Sequence, residues 1–132
     1  MFERDYLMRL IFELASGIRR ALERGEEKDD PAGAARMLDL AIGDATDIDA
    51  SVLLALSPDS IASIMQVSGV DPQVGGYVGR SMLLAAWYYD QAGEREAANL
   101  RRAQGLAISR AYGVDVDGSV FDADAMKRFL AS

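Results

Sequence analysis

Three stretches of the chain carry residue types that could do chemistry. Gly75-Gly76-Tyr77-Val78-Gly79-Arg80-Ser81 has the glycines and the terminal hydroxyl of a phosphate-cradling loop. Such a loop needs a fixed glycine spacing, a lysine before the hydroxyl and a strand in front of it. Here the spacing differs, arginine stands in the lysine position and no strand pattern precedes it. The glycines are expected instead to let another helix come close to the start of a long helix. Asp115-x-Asp117-Gly118-Ser119 resembles part of a calcium loop, but its glycine falls too early and Met126 stands where a bidentate glutamate belongs. Asp44, Asp47 and Asp49 could gather as carboxylates for a metal or for acid–base work. They lie where one helix ends and the next begins, and aspartate is an ordinary cap there.

The chain contains neither histidine nor cysteine. That removes the commonest general base, the usual zinc ligand, the partner of a serine nucleophile, thiol chemistry and any disulfide framework. No residue is assigned a catalytic, cofactor-binding or metal-binding role, and the expectation is a non-enzyme that takes no cofactor. A net charge of −7 opposes binding to a polyanion, so neither nucleic acid nor an acidic membrane is expected as a partner. Arg19, Arg20 and Arg24 near the start, and Arg95, Arg101, Arg102 and Arg110 further on, are interleaved with Glu23, Glu94 and Glu96, a pattern that predicts solvated helix faces.

The elements that position these residues are read from periodicity and caps. With 132 residues, half of them hydrophobic, the chain is long enough for one domain with a real core. Its clearest part runs from Arg80 to Gly113: a large apolar arm (Met82, Leu83, Leu84, Trp87, Tyr88, Tyr89), then Gly93, then an arm lined with Ala97, Ala98, Ala103, Gly105, Ala107 and Ala111. Gly93 and Gly113 stand where helix ends favour a residue with positive φ. This predicts a helical hairpin in which large side chains face small ones, with Trp87 in the core and Trp87, Tyr89, Gly93, Ala98 and Gly105 making the packing contact.

Asp30-Pro31, Ser57-Pro58 and Asp71-Pro72 each place an N-cap before a proline at the first helical position. They predict helices over Pro31 to about Ala45, about Asp49 to Leu56, Pro58 to Val67, and onward from Pro72. A first helix runs from about Phe2 to Arg24, and a last one, capped by Asp122, from about Ala123 to Ala131. No alternating strand pattern occurs, so the class is all-α, with about six or seven helices in stacked antiparallel hairpins. Residues 1–113 form the helical core, and residues 114–132 a turn and a capping helix. In the first helix Tyr6, Leu7, Leu10, Ile11, Leu14, Ile18 and Leu22 form one face, and Met8 and Phe12 widen it beyond what one flank can bury. Either that helix is covered on two sides within the chain, or Met8 and Phe12 form the contact of a homodimer. The longest apolar run is too short to span a membrane and the N-terminus lacks signal-peptide features, so the expected location is the cytoplasm.

Ala86, Tyr89, Gly93, Ala98 and Gly105 resemble the tetratricopeptide pattern of a small residue, a tyrosine, a turn glycine and two small residues; the terminal proline is replaced by Arg110. Asp5-Tyr6-Leu7-Met8-Arg9-Leu10-Ile11 resembles the opening signature of a family of small bacterial helical proteins known only as a domain of unknown function. Similarity to that family runs from about Phe2 to Tyr112. The resemblance implies a tetratricopeptide-like helical fold and lends no catalytic residues. The expected function is a non-enzymatic module that binds a protein or peptide; the alternative is a small-ligand-binding or regulatory protein with an apolar pocket near Trp87, Tyr88 and Tyr89.

Overall fold

A computed structural model describes residues 2–132, with side chains from Arg4 onward. Among the described residues there are seven helices and no strand: α1 (Phe2–Glu26), α2 (Pro31–Thr46), α3 (Ala50–Leu53), α4 (Pro58–Val67), α5 (Pro72–Gln91), α6 (Arg95–Ala111) and α7 (Ala123–Ala131). The protein is all-α. Among the described residues, no helix is long and apolar enough to cross a membrane.

The helix starts follow from local chemistry. The first amides of a helix have no partner within it, and a side-chain oxygen just upstream supplies one. Asp30 accepts from the Gly33 amide, Ser57 from Ser60, Asp71 from Gln73 and Asp122 from Ala125, and the three prolines sit at the first helical positions. The Arg24 guanidinium and then the Gly33 amide hold the Asp30 carboxyl below the usual aspartate range. Asp47 closes α2 in the left-handed region and Asp49 caps α3, so these two carboxylates serve helix ends. α3 is a single turn rather than the two expected, because the chain must turn again at Leu54 to Leu56 before Ser57 opens α4.

Between α5 and α6 the chain reverses at Gly93, whose φ of +78° is free of Cβ strain, and the Glu94 amide donates to the Tyr89 carbonyl at 2.9 Å. The two helices then run antiparallel with two kinds of contact. In the middle of the hairpin Leu83 of α5 lies on Gly105 of α6, large on small as expected. At the end away from the turn the order reverses: Tyr112, just past α6, lies on Gly75, and Ser109 and the Gly105 backbone lie on Gly79. A Cβ on Gly79 would stand 2.6 Å from the Ser109 Oγ, and one on Gly75 2.6 Å from the Tyr112 ring. The stretch that resembles a phosphate loop is thus the interior of a helix, with Gly79 packed on α6 and Gly75 on Tyr112 just beyond it.

α2 packs against both α1 and α5, α4 covers α6, and α7 lies on α5. Leu14, Ile18, Leu38, Ile42, Leu53, Ile61, Met65, Met82, Leu84 and Ile108 form the interior. Phe129 of α7 is held edge-on by Tyr77 (4.9 Å between centroids) and under the Arg80 guanidinium at 3.9 Å. Lys127 of α7 pairs with Glu26 at the end of α1. Trp87, expected in the core, is only half buried and packs edge-on against Tyr88. Gln73, Tyr77, Arg80 and Gln91 share its side of α5 at helical spacing, where Leu84 is nonetheless fully buried, while Tyr88 and Tyr89 turn inward.

Candidate functional site

Polar groups buried in a helical stack need partners, and Asp39, Tyr89, Arg101 and Gln104 of α2, α5 and α6 supply them to one another and to the turn after α3. Arg101 lies on the inner side of α6, where its Nε donates to Asp39 Oδ1 at 2.9 Å and its Nη2 to Asp39 Oδ2 at 3.2 Å, a two-pronged pair from α6 to α2. Tyr89 of α5 donates to the same carboxylate at 2.6 Å. Arg101 also donates to the Leu54 carbonyl and to Gln104 Oε1, at 3.3 and 3.1 Å. Gln104, fully buried, donates to the carbonyls of Leu54 and Leu56 at 3.0 and 2.8 Å. One network therefore ties α2, the turn after α3, α5 and α6 together. Only 11% of the Arg101 side chain and 13% of Asp39 are exposed.

The solvated face expected for these arginines holds for Arg19, Arg20, Arg95 and Arg110, which are exposed, and fails for Arg101. Arg102 is half buried and pairs with Asp90, and Arg24 pairs with Asp30. The signal for Arg101 lies outside its own helix, in an aspartate 62 residues away. Burial pushes the Tyr89 hydroxyl far above its ordinary pKa, and donation to Asp39 adds to the shift. Burial also pushes Tyr88 up to about 12. Its hydroxyl is buried beside Gly25 and has no hydrogen-bond partner among the described residues. Neither phenol ionises near neutral pH, so the network is suited to holding helices in place.

A second region is built by α1. The helix has 25 residues and α2 has 16. Since the two are joined at the end of α1, roughly two turns at its beginning extend past the partner. Leu14, Ile18, Ala21 and Leu22 are buried, but Tyr6 is 51% exposed, Met8 60% and Phe12 69%. Tyr6, expected on the buried face, belongs to the overhang, and Met8 and Phe12 are not covered within the chain. Beside this overhang opens a cleft of about 670 Å³, bounded by Arg4, Tyr6, Leu7 and Leu10 of α1, the end of α2, and the α4–α5 connection from Ser68 to Asp71.

The sequence-derived contact residues do not converge on one site. Met8 and Phe12 lie on the outer side of α1, and Tyr89 belongs to the buried network. Ala98 and Gly105 are buried in the α5–α6 contact, Gly93 forms the turn, and Trp87 lies at the margin of the core. Asp117 accepts hydrogen bonds from the Ser119 amide and hydroxyl inside its own turn. Gly118 is buried against Leu106 and Leu83, where the connection to α7 crosses the hairpin. Compared with known proteins, the chain matches no family model, no curated protein and no solved structure.

Proposed function

We propose that the protein is a non-enzymatic interaction module, a tetratricopeptide-like stack of helical hairpins that presents the outer side of α1 to a protein or peptide. The observation that carries this reading is the exposure of Met8 and Phe12, one turn apart on one side of α1. Scattered apolar residues are normal on protein surfaces, whereas a contiguous group of large ones marks a contact site. The alanine, tyrosine and glycine positions of the α5–α6 hairpin support the tetratricopeptide-like description, and the Asp39–Arg101 network supports a rigid scaffold behind the contact face.

Phe12 lies outside the core, so Phe12→Asp is expected to shift stability by no more than about 0.5 kcal/mol. The same change is expected to abolish complexes that the wild-type chain forms in extracts of its native cell, because it places an unpaired charge in an apolar contact. Size-exclusion chromatography of both proteins checks this. A complex that survives Phe12→Asp places the contact elsewhere.

A small-ligand role is the second reading. The 670 Å³ cleft favours it, being within the roughly 300–1,000 Å³ usual for ligand pockets and combining apolar walls with Arg4 and Asp71. That cleft adjoins α1, away from the Trp87, Tyr88 and Tyr89 run where the sequence suggested a pocket.

A further inference from the structure

We infer that the outward stripe of α1 takes a second copy of this chain, with the two α1 helices antiparallel about a two-fold axis at Phe12. This rests on the reading of α1 as a contact face and names the partner. At 3.6 residues per turn, Asp5, Met8, Ser16 and Arg19 all point within about 40° of the direction of Phe12. Four of these five side chains are exposed and Ser16 is half buried. The buried residues Leu14, Ile18 and Ala21 point the other way, into the chain.

The ends of the stripe decide the partner. Asp5 and Arg19 are opposite in charge, and each is seven residues, about 10 Å, from Phe12. A two-fold axis through Phe12 and perpendicular to α1 sets Asp5 of each copy against Arg19 of the other. It stacks Phe12 on its counterpart and lays Met8 over the small Ser16. Arg9 and Glu13 are also exposed and share one flank of the stripe. The axis turns that flank towards its counterpart and brings Arg9 of one copy to within a turn of Glu13 of the other. The Asp5–Arg19 and Arg9–Glu13 pairs are then each formed twice. A parallel pairing would set Asp5 on Asp5 and Arg19 on Arg19, and like charges at contact distance repel. Self-complementarity of this kind is what an isologous interface requires.

Sedimentation equilibrium of the purified full chain at low salt tests the pairing. The wild type is expected to be a dimer at tens of micromolar and Phe12→Asp a monomer. Asp5→Arg and Arg19→Asp should each weaken the dimer about tenfold, since each change turns two attractive contacts into two repulsive ones. The combined Asp5→Arg/Arg19→Asp protein should recover to within about threefold of wild type, because the charges are exchanged and again opposite. Recovery in the combined protein is the result expected only of antiparallel copies. A wild type that stays monomeric at about 100 µM overturns the inference, as does a combined protein no tighter than its single parents. If the wild type is monomeric while Phe12→Asp still abolishes a complex with another protein, pairing of copies falls and α1 stands as the contact face.

Discussion

Asp39→Ala is expected to destabilise the fold by about 3 kcal/mol. Removing one member of a buried ion pair leaves the other charge without compensation, and such losses run to roughly 3–5 kcal/mol; the residual exposure of 11% and 13% places this pair at the lower end. Arg101 cannot escape to water without abandoning the Leu54 carbonyl and Gln104, so alanine at position 39 strands a guanidinium among helices. Tyr89 loses its acceptor in the same step. Tyr89→Phe alone removes one hydrogen bond to a charged group and should cost about 1.5–3 kcal/mol. Replacing both charges, as Asp39→Leu with Arg101→Met, should cost less than Asp39→Ala alone, because no unpaired charge remains. Denaturant melts with matching slopes check the series. A cost below about 1 kcal/mol for Asp39→Ala would mark the pair as an ordinary surface contact.

The second large effect is expected at the helix crossing. Gly105→Leu should destabilise by about 3 kcal/mol, the upper part of the range for overpacking. A Cβ at Gly105 would already stand 3.0 Å from the Gly79 carbonyl oxygen and 3.1 Å from the Leu83 side chain, and a backbone oxygen cannot rotate away. The better helix propensity of leucine returns at most about 1 kcal/mol. Gly93→Ala makes the contrast, since open space surrounds that position and only its positive φ resists a side chain, at about 1–2 kcal/mol. Thermal melts that rank Gly93→Ala as the more damaging change would mean that α5 and α6 are not in close contact at Gly105.

What could be read from the sequence was what neighbouring residues decide. Pro31, Pro58 and Pro72 each follow a capping side chain, so the starts of α2, α4 and α5 were legible, and Asp122 marked α7 in the same way. Gly93 and Gly113 declared the ends of the hairpin arms. Trp87 was misplaced because the Arg80–Tyr89 run is apolar nearly all round, and periodicity cannot choose an inward side for such a run. Phe129 of α7 covers this run at Tyr77 and Arg80, and Trp87 stays half buried. Arg101 looked like its solvated neighbours because its partner is on α2, brought close only when α2 and α6 flank α5. The excess of apolar surface at Met8 and Phe12 was visible from spacing, whereas the exposure of Tyr6, which follows from a first helix longer than the second, needed both lengths.

The central claim, that the outer side of α1 is a contact face, is tested most directly by a photo-crosslinking phenylalanine analogue placed at position 12 and, in a second protein, at Val67 of α4. Val67 is even more exposed, at 85%, but lies on another helix, so it measures chance encounters. Irradiation in the native cell is expected to give discrete adducts from position 12, to a second copy or to another protein, and none above background from position 67. Equal yields at the two positions, or no adduct from position 12, would contradict the account.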